Sequence, residues 1–537
     1  IQTGGKKILK EVKLIIFRYD PVKDDRPHYE TYSIPRRDGL TVLDALNYIK
    51  ENIDSSISFR QGCRSAICGS CAVRIDKRGC LACKTMIGED TQEITVDPLN
   101  HYKVIRDLVV DLEPFYERMK QVQPYLVRNN TVAMTGKEML IKPEDLAEAK
   151  NLRDCILCGS CFSDCNTLDV DNTFCGPAAL VKALRFISDP RDNNEGRLAQ
   201  AVELGLYKCP VDQECEFACP KEINIRRGTI ERLRYLAVQK ELAPLPEHKK
   251  LINSVLDTGG IVPVKAKPAT ETFPEYIKEF DGEPQAEVLL FLGCIINRRK
   301  QNVAAAIINI FQKNRIAVHL PGKVTCCGSP FMRIGQRDSM RPFVEINFSI
   351  FNDYAARGIT NVVTSCSGCN STFRHDFPKL AREFDIPMNF RIYDVGEYIS
   401  KKIVLKVEGL KKTNIRAMYH YPCHIRASGL AEDIYIDLIQ RIPGVELVKV
   451  PKSGYCCGGG GGVRAAFPEL ADRLAVRRIE IAKESGIDTL ITNCPFCVLS
   501  FERVLGMKEE MGEKMGFMVI DFYEMFSEAY GSSPEQG

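Results

Sequence analysis

The sequence predicts a multidomain protein, α+β in its amino-terminal part and α/β in its carboxyl half, and three observations carry that prediction. The chain has 537 residues, which at ~150 residues per domain makes three or four domains. Beyond residue 286 strand-like and helix-like stretches alternate, the pattern of largely parallel sheets with crossover helices. The 23 cysteines are bunched rather than scattered. The composition (45% hydrophobic, 27% charged, 8% aromatic) is that of a globular protein and excludes disorder, collagen and a small disulfide scaffold. A net charge of +3 offers no broad basic field, so no nucleic acid is expected as a partner. The longest apolar stretch, near Val288–Ile296, falls short of the ~20 residues of a membrane span. Residues 1–16 alternate Lys with Leu, Val and Ile instead of forming a secretory core. A cytoplasmic protein with no membrane anchor in this chain is expected. In that compartment clustered cysteines read as metal ligands, because the reducing pool disfavours disulfides.

At the amino end, Lys10–Tyr19 alternates as a strand through Val12, Leu14 and Ile16, and His28–Ile34 is a hairpin partner. Thr41 opens a helical periodicity (Val42, Leu46, Ile49) with Asp44 in its first turn. Then comes Cys63-x4-Cys68-x2-Cys71, followed by Cys80 and Cys83. C-x4-C-x2-C…C is the plant-type spacing for a 2Fe–2S cluster, and zinc fits the x4 gap poorly. Gly62 and Gly69 give the loop the freedom to converge; either Cys80 or Cys83 completes the set. Next is Cys155-x2-Cys158-x2-Cys161-x3-Cys165, then Cys209-x5-Cys215-x3-Cys219-Pro220. In two-cluster ferredoxins the last cysteine of each run serves the other cluster. Cys155, Cys158, Cys161 and Cys219 are thus assigned to a 4Fe–4S cubane. Cys165, Cys209 and Cys215 remain for a neighbouring cluster, and Cys175 is a spare, buried small hydrophobe.

Pro244–Pro284 is proline-dotted and polar and reads as a linker, with domain limits near 1–110, 111–243, 244–285, 286–405 and 406–537. In the carboxyl half the expected strands are Val288–Gly293, Ile316–Leu320, Asn361–Thr364, Ala417–Tyr421, Val445–Val450 and Thr489–Thr492. Helices are expected around 300–312, 336–356, 428–441 and 464–485. The cysteines repeat: Cys294, Cys326, Cys327, Cys366, Cys369, then Cys423, Cys456, Cys457, Cys494, Cys497. Offsets of 423 − 294 = 129, 456 − 326 = 130, 494 − 366 = 128 and 497 − 369 = 128 mark an internal duplication. A structural zinc site needs four ligands, so the fifth thiolate in each copy argues against zinc. Gly458–Gly462 lacks the Lys-Ser/Thr and the G-x-G-x-x-G spacing of phosphate loops; room for close packing against a cluster accounts for it better.

Residues 10–230 resemble the iron–sulfur subunit of succinate dehydrogenase and fumarate reductase. The match is carried by Cys63–Cys71, Leu81–Thr85, Pro98-Leu99, Val104–Asp111, Gln123–Leu126, Cys155–Cys165 and Gly176–Leu180. The resemblance implies a β-grasp 2Fe–2S ferredoxin domain with Cys83 as fourth ligand and Cys80 spare. It also implies a helical ferredoxin domain whose second cluster is 3Fe–4S. Asp212 stands where a fourth ligand would sit and makes a carboxylate-ligated 4Fe–4S the alternative. The tryptophan that this family places beside its 3Fe–4S cluster is missing, and Asn166 follows Cys165 where proline is usual, which speaks against quinone reduction. The repeats, through Cys326-Cys327-Gly328, Cys456-Cys457-Gly458 and the two C-x2-C pairs, resemble the CCG domain of heterodisulfide reductase. That implies a noncubane 4Fe–4S cluster in each set.

As a whole the chain is similar to the cysteine-rich iron–sulfur subunit of the thiol:fumarate reductases of methanogens. That resemblance implies an oxidoreductase subunit that oxidises coenzyme M and coenzyme B to the heterodisulfide. Its electrons would go to an FAD-containing flavoprotein partner that reduces fumarate; no dinucleotide fingerprint appears in this chain. Two other readings stay open: a subunit of a quinone-linked succinate or 2-hydroxy-acid dehydrogenase, and a non-catalytic electron-transfer adaptor. The anions of the two coenzymes would need cations near the ligands, and Arg298, Lys323, Arg333, Arg426 and Arg464 are the candidates. His424, directly after Cys423, is the candidate for proton transfer; its counterpart in the first repeat is Ile295.

Overall fold

The computed structural model describes residues 11–128, 141–262, 267–452 and 454–531. Residues 1–10, with the expected strand start at Lys10, lie outside them. The chain packs as two units, Ile1–Leu206 with Gln213–Leu233, and Tyr207–Asp212 with Arg234–Gly537.

In the first unit, β1 (Glu11–Arg18) pairs antiparallel with β2 (His28–Pro35). Period-two alternation buries Val12, Leu14 and Ile16 while Glu11 and Lys13 face water. The helix Val42–Asn52 starts at a capping box in which Thr41 and Asp44 satisfy each other's backbone N–H, and it buries Val42, Leu43, Ala45, Leu46 and Ile49 against the sheet. Each such side chain contributes about 1.5–3 kcal/mol. Strands β3 (Ala72–Ile75), β4 (Arg78–Leu81) and β5 (Glu93–Asp97) complete a sheet of order β2-β1-β5-β3-β4, with β1 and β5 parallel. A small hairpin, β6 (Val104–Arg106) and β7 (Val109–Val110), follows. The rest of this unit is helical. The helix Pro177–Ile187 is its apolar centre, burying Ala178, Ala179, Leu180, Val181, Ala183 and Leu184, and the short helices Ser160–Ser163, Asn166–Val170 and Glu214–Phe217 carry or border cysteines.

In the second unit, β8 (Tyr276–Ile277), β9 (Ala286–Phe291), β10 (Ile316–His319), β11 (Asn361–Thr364) and β12 (Arg391–Asp394) form a sheet of order β12-β11-β9-β10-β8, parallel except for β8. A second, all-parallel sheet has the order β14-β13-β15-β16, from β13 (Ile415–Tyr419), β14 (Val445–Leu447), β15 (Thr489–Thr492) and β16 (Met518–Asp521). Counting only the parallel strands, both sheets have the topology 2-1-3-4, so the duplication extends from the cysteines to the fold. Strand Val288–Phe291 is buried throughout, as a central parallel strand covered on both faces must be. The repeats share one apolar core, in which Ile307 and Phe311 of the first meet Tyr435, Phe522 and Phe526 of the second.

Residues 244–285 differ from the expected linker. They hold the helix Pro246–Thr258 and strand β8, and pack with the second unit, which begins at Arg234 rather than near 286. The prolines are structural punctuation: Pro246 opens the helix at a position where its missing N–H is harmless. Residues 263–266 of this stretch lie outside the described residues. No described helix is long and apolar enough to cross a membrane.

Candidate functional site

The loop after Gln61 turns through left-handed residues Arg64, Ala66 and Gly69, which aims a run of backbone N–H groups at sulfur. Cys63 Sγ accepts from Ser65, Ile67 and Cys68 N–H at 3.4, 3.3 and 3.2 Å, and Cys83 Sγ accepts from Ala66 N–H at 3.4 Å. These donors, Ser65 first, hold the Cys63 thiol down at about 6. Cys71 is buried and also hydrogen-bonds Cys83. Cys80 lies on β4 opposite Val73 and takes no part in this nest. Cys155, Cys158, Cys161 and Cys219 line one small apolar cavity under Val181, Ile223 and Ile225. At Gly69 a Cβ would stand 2.9 Å from Cys158 Cβ, so only glycine lets the two cysteine loops come this close.

Cys165 precedes the helix Asn166–Val170 and Cys215 sits in Glu214–Phe217, both buried in the first unit. Cys209 belongs to the segment that packs with the second unit; its sulfur accepts from Val211 N–H at 3.4 Å. Asp212 is buried, and its backbone carbonyl accepts from Arg426 at 3.0 Å. Cys175 is buried, its sulfur 3.8 Å from the Gly176 carbonyl.

In the second unit the topology itself makes the site. In a 2-1-3-4 sheet the strand order reverses between the first and third strands, opening a crevice at their carboxyl ends. Cys294 and Cys366 follow β9 and β11; Cys423 and Cys494 follow β13 and β15. Cys326-Cys327 and Cys456-Cys457 come from the loops after β10 and β14. Nine of these ten cysteines (all but Cys456) line a single cavity of about 480 Å³. The helices Ser367–Ser371 and Cys423–Ala427 pack on each other across it. The sulfurs of the two sets meet there: Cys366 hydrogen-bonds Cys494, and Ser367 Oγ donates to Cys494 Sγ at 2.9 Å. Hydrogen bonds from neighbouring thiols hold Cys327 and Cys423 down at about 6, while the same contacts and burial push Cys294, Cys369, Cys456 and Cys497 well up. Buried thiols at such separations share too few protons to stay separately neutral or ionised, and a thiophilic metal centre resolves that conflict. The donor sets therefore fit iron–sulfur clusters.

Of the expected cations, Arg333 and Arg464 line the cavity, the first paired with Asp376 and the second with Asp472. Arg298 turns to the Val262 carbonyl and Thr258, Lys323 is exposed, and Arg426 reaches Asp212 and covers the Tyr421 ring; none of these three lines the cavity. Their sequence proximity to ligands did not translate into direction. Arg299 and Arg503, one residue beyond and 39 after expected sites, line it instead. His424 lines the cavity with Nδ1 3.3 Å from Cys423 Sγ. The glycine run packs on backbone: Cβ atoms at Gly460 and Gly461 would lie 2.6 Å from the carbonyl oxygens of Pro210 and Cys209. Sequence reasoning missed His420, a buried neighbour of Cys457 and Cys497. Its signal was its place at the end of a strand, three residues before a ligand.

Known families match along the whole chain. A 2Fe-2S iron-sulfur cluster binding domain matches residues 13–117, a 4Fe-4S dicluster domain 151–223, and a cysteine-rich domain both 288–374 and 417–502. The second, iron–sulfur component of the fumarate reductase (CoM/CoB) of Methanothermobacter marburgensis is 32% identical over 516 residues, 96% of this chain and 99% of that protein. An uncharacterized iron–sulfur protein of Methanocaldococcus jannaschii is 34% identical over 90% of this chain and 93% of its own length. The fumarate reductase iron-sulfur subunit of Escherichia coli O157:H7 is 34% identical over 42% of this chain and 93% of its own length. A solved hypothetical protein from Helicobacter pylori shares the fold over 99% of the chain, with a TM-score of 0.64 at 13% identity.

Proposed function

The chain belongs to the family of the iron–sulfur subunit of fumarate reductase (CoM/CoB), and from that premise we propose that it oxidises coenzyme M and coenzyme B in the cavity between its two repeats. The balanced reaction is fumarate + coenzyme M + coenzyme B → succinate + heterodisulfide, with fumarate reduced on a partner subunit that carries FAD. The observation that supports this reading is the meeting of two five-cysteine sets in one cavity of about 480 Å³, a volume within the ~300–1,000 Å³ range of small-molecule sites.

Cys294, Cys326, Cys327, Cys366 and Cys369 would hold one noncubane 4Fe–4S cluster, and Cys423, Cys456, Cys457, Cys494 and Cys497 the other. Cys63, Cys68, Cys71 and Cys83 would hold 2Fe–2S; Cys155, Cys158, Cys161 and Cys219 the cubane; Cys165, Cys209 and Cys215 a 3Fe–4S cluster, or 4Fe–4S with Asp212. When bound, these clusters supply one-electron acceptors between the thiols and the flavin. The chain's other residues bind and deprotonate. Arg299 and Arg503 are exposed cations on the cavity wall and receive the coenzymes' anionic ends. Arg333 and Arg464, each already held by a carboxylate, fix the wall's shape and field. His424, at the cavity wall beside Cys423, takes a thiol proton. The test is Cys366→Ser combined with Cys494→Ser in the anaerobic complex. Thiol-dependent fumarate reduction disappears while dye-linked fumarate reduction persists; thiol-dependent turnover that survives would place the thiol site elsewhere.

A further inference from the structure

We propose that the two five-cysteine sets are unequal, and that His420, by donating a hydrogen bond to Cys457 Sγ, makes the second set the electron-collecting side of the cavity. The inference rests on the reading of these sets as cluster sites. His420 is only 1% exposed and follows β13; its N–H is fixed on the Ile491 carbonyl at 2.8 Å and its ring stands edge-on to Phe501 at 5.1 Å. Its side chain hydrogen-bonds Cys457, and its ring nitrogen and the sulfurs of Cys457 and Cys497 lie within 4.8 Å of one another. Nδ1 has no partner among the described residues, which leaves Nε2 for the sulfur.

The first set has no such donor. By the 129-residue offset of Cys423 on Cys294, the counterpart of His420 is 420 − 129 = 291, and Phe291 is buried among Phe351 and Phe373. The asymmetry recurs. His424 Nδ1 lies 3.3 Å from Cys423 Sγ, while its counterpart is Ile295. Ser367, on the first repeat, donates to Cys494 of the second. Among the described residues no hydroxyl or imidazole donates to a sulfur of the first set; its partners are thiols and backbone N–H groups. Hydrogen bonds to cluster sulfurs stabilise the more negative, reduced state and so raise the reduction potential.

An independent observation gives the second set an outlet. The glycines after Cys457 lie on the backbone of Cys209 and Pro210, a Cβ at Gly460 standing 2.6 Å from the Pro210 carbonyl oxygen. Buried Arg234 joins the same segments, donating to the Cys209 carbonyl at 2.7 Å and the Gly461 carbonyl at 2.9 Å. The balance is 2 RSH → RSSR + 2 H⁺ + 2 e⁻. The electrons leave one at a time through the second set toward the partner's flavin, which passes them as a pair to fumarate.

The experiment is an anaerobic redox titration of the holo-complex followed by electron paramagnetic resonance, with iron analysis, and with the second set's signal assigned in a Cys294→Ser variant. His420→Phe, which installs the first repeat's residue, keeps full iron and shifts the second set's midpoint potential to more negative values, leaving the first set and the 2Fe–2S centre unmoved. His420→Gln, which retains an N–H donor, recovers much of the shift; His420→Leu serves as the donor-free variant should Phe fail to assemble. Full iron with no potential moved overturns the proposal, as does a shift shared equally by both sets. Iron lost from the second set in all three variants overturns it too, by making His420 a ligand. A wild-type complex without iron in the repeats would instead refute the cluster reading on which the proposal stands.

Discussion

Replacing Gly461 by alanine separates two reasons for a glycine at one position. Gly461 has φ +64°, and an added Cβ would lie 2.6 Å from the Cys209 carbonyl oxygen and 2.9 Å from Pro210. Ordinary contact begins near 3.4 Å, so the facing backbone must retreat by about 3.4 − 2.6 = 0.8 Å. Left-handed geometry costs alanine about 1–2 kcal/mol, and forced overpacking about 1–3 kcal/mol more. Gly486 is the control: its φ is +71° but nothing lies within 4 Å of a Cβ, so only the first cost applies. At roughly 2 °C per kcal/mol for a unit of this size, Gly461→Ala should lower its unfolding temperature by about 4–10 °C and Gly486→Ala by about 2–4 °C. Differential scanning calorimetry of the anaerobic complex at one fixed scan rate reads both. Thiol-dependent turnover should fall in the first variant alone, because the Cys209 segment has moved. Equal losses in the two variants would refute the packing argument and leave the backbone angle as the sole reason for the glycine.

Other perturbations test the site and its frame. His424→Gln, with iron content verified, should lose on the order of 10²-fold in thiol-dependent rate while dye-linked fumarate reduction is intact; steady-state rates across pH that match wild type would remove its proton-transfer role. Arg299→Ala should raise KM for the thiols about 10- to 100-fold with little change in kcat, the worth of one charge-assisted hydrogen bond of roughly 1.5–3 kcal/mol; an unchanged KM excludes it from binding. Asp394 and Asp521 cap helices at equivalent places in the two repeats (521 − 394 = 127), and burial pushes their carboxyl groups up to about 7 and about 8 from 3.8. With folded-state values above the unfolded one, the stability they contribute is present at low pH and lost as pH rises from about 4 through 7–8. Asp394→Asn should therefore flatten the decline in unfolding temperature between pH 5 and 8, and an unaltered slope would contradict the assignment.

Much of this architecture was legible in the sequence because it is written in strong local signals. Asn361–Thr364 and Thr489–Thr492 are apolar runs between turn residues and are strands with those same bounds. The cysteine offsets marked a duplication that the matching sheet orders repeat. Strands β12 and β16 were missed: Arg-Ile-Tyr-Asp and Met-Val-Ile-Asp are too short to show alternation, and each ends in the aspartate that caps the next helix. Residues 244–285 read as a linker because Pro246 looks like a breaker, although as the first residue of a helix it is a favourable starter. The cavity's arginines were only partly legible. Distance along the chain from a ligand says nothing of which way a helix turns, so Arg298 faces Thr258 while Arg299 reaches the cavity. His420 was hidden for a similar reason, since its meaning depends on Cys457, 37 positions away, being folded against it.

The central claim is that thiols are oxidised in the cavity between the repeats and that their electrons reduce fumarate on the partner. Its most direct test is the stoichiometry of one anaerobic reaction. The purified complex of this chain with its flavoprotein is given coenzyme M, coenzyme B and fumarate, with no dye or quinone present. The account predicts heterodisulfide and succinate formed in equal amounts, with neither product when either thiol is omitted. A complex that reduces fumarate from an artificial dye yet forms no heterodisulfide from the two thiols would contradict it.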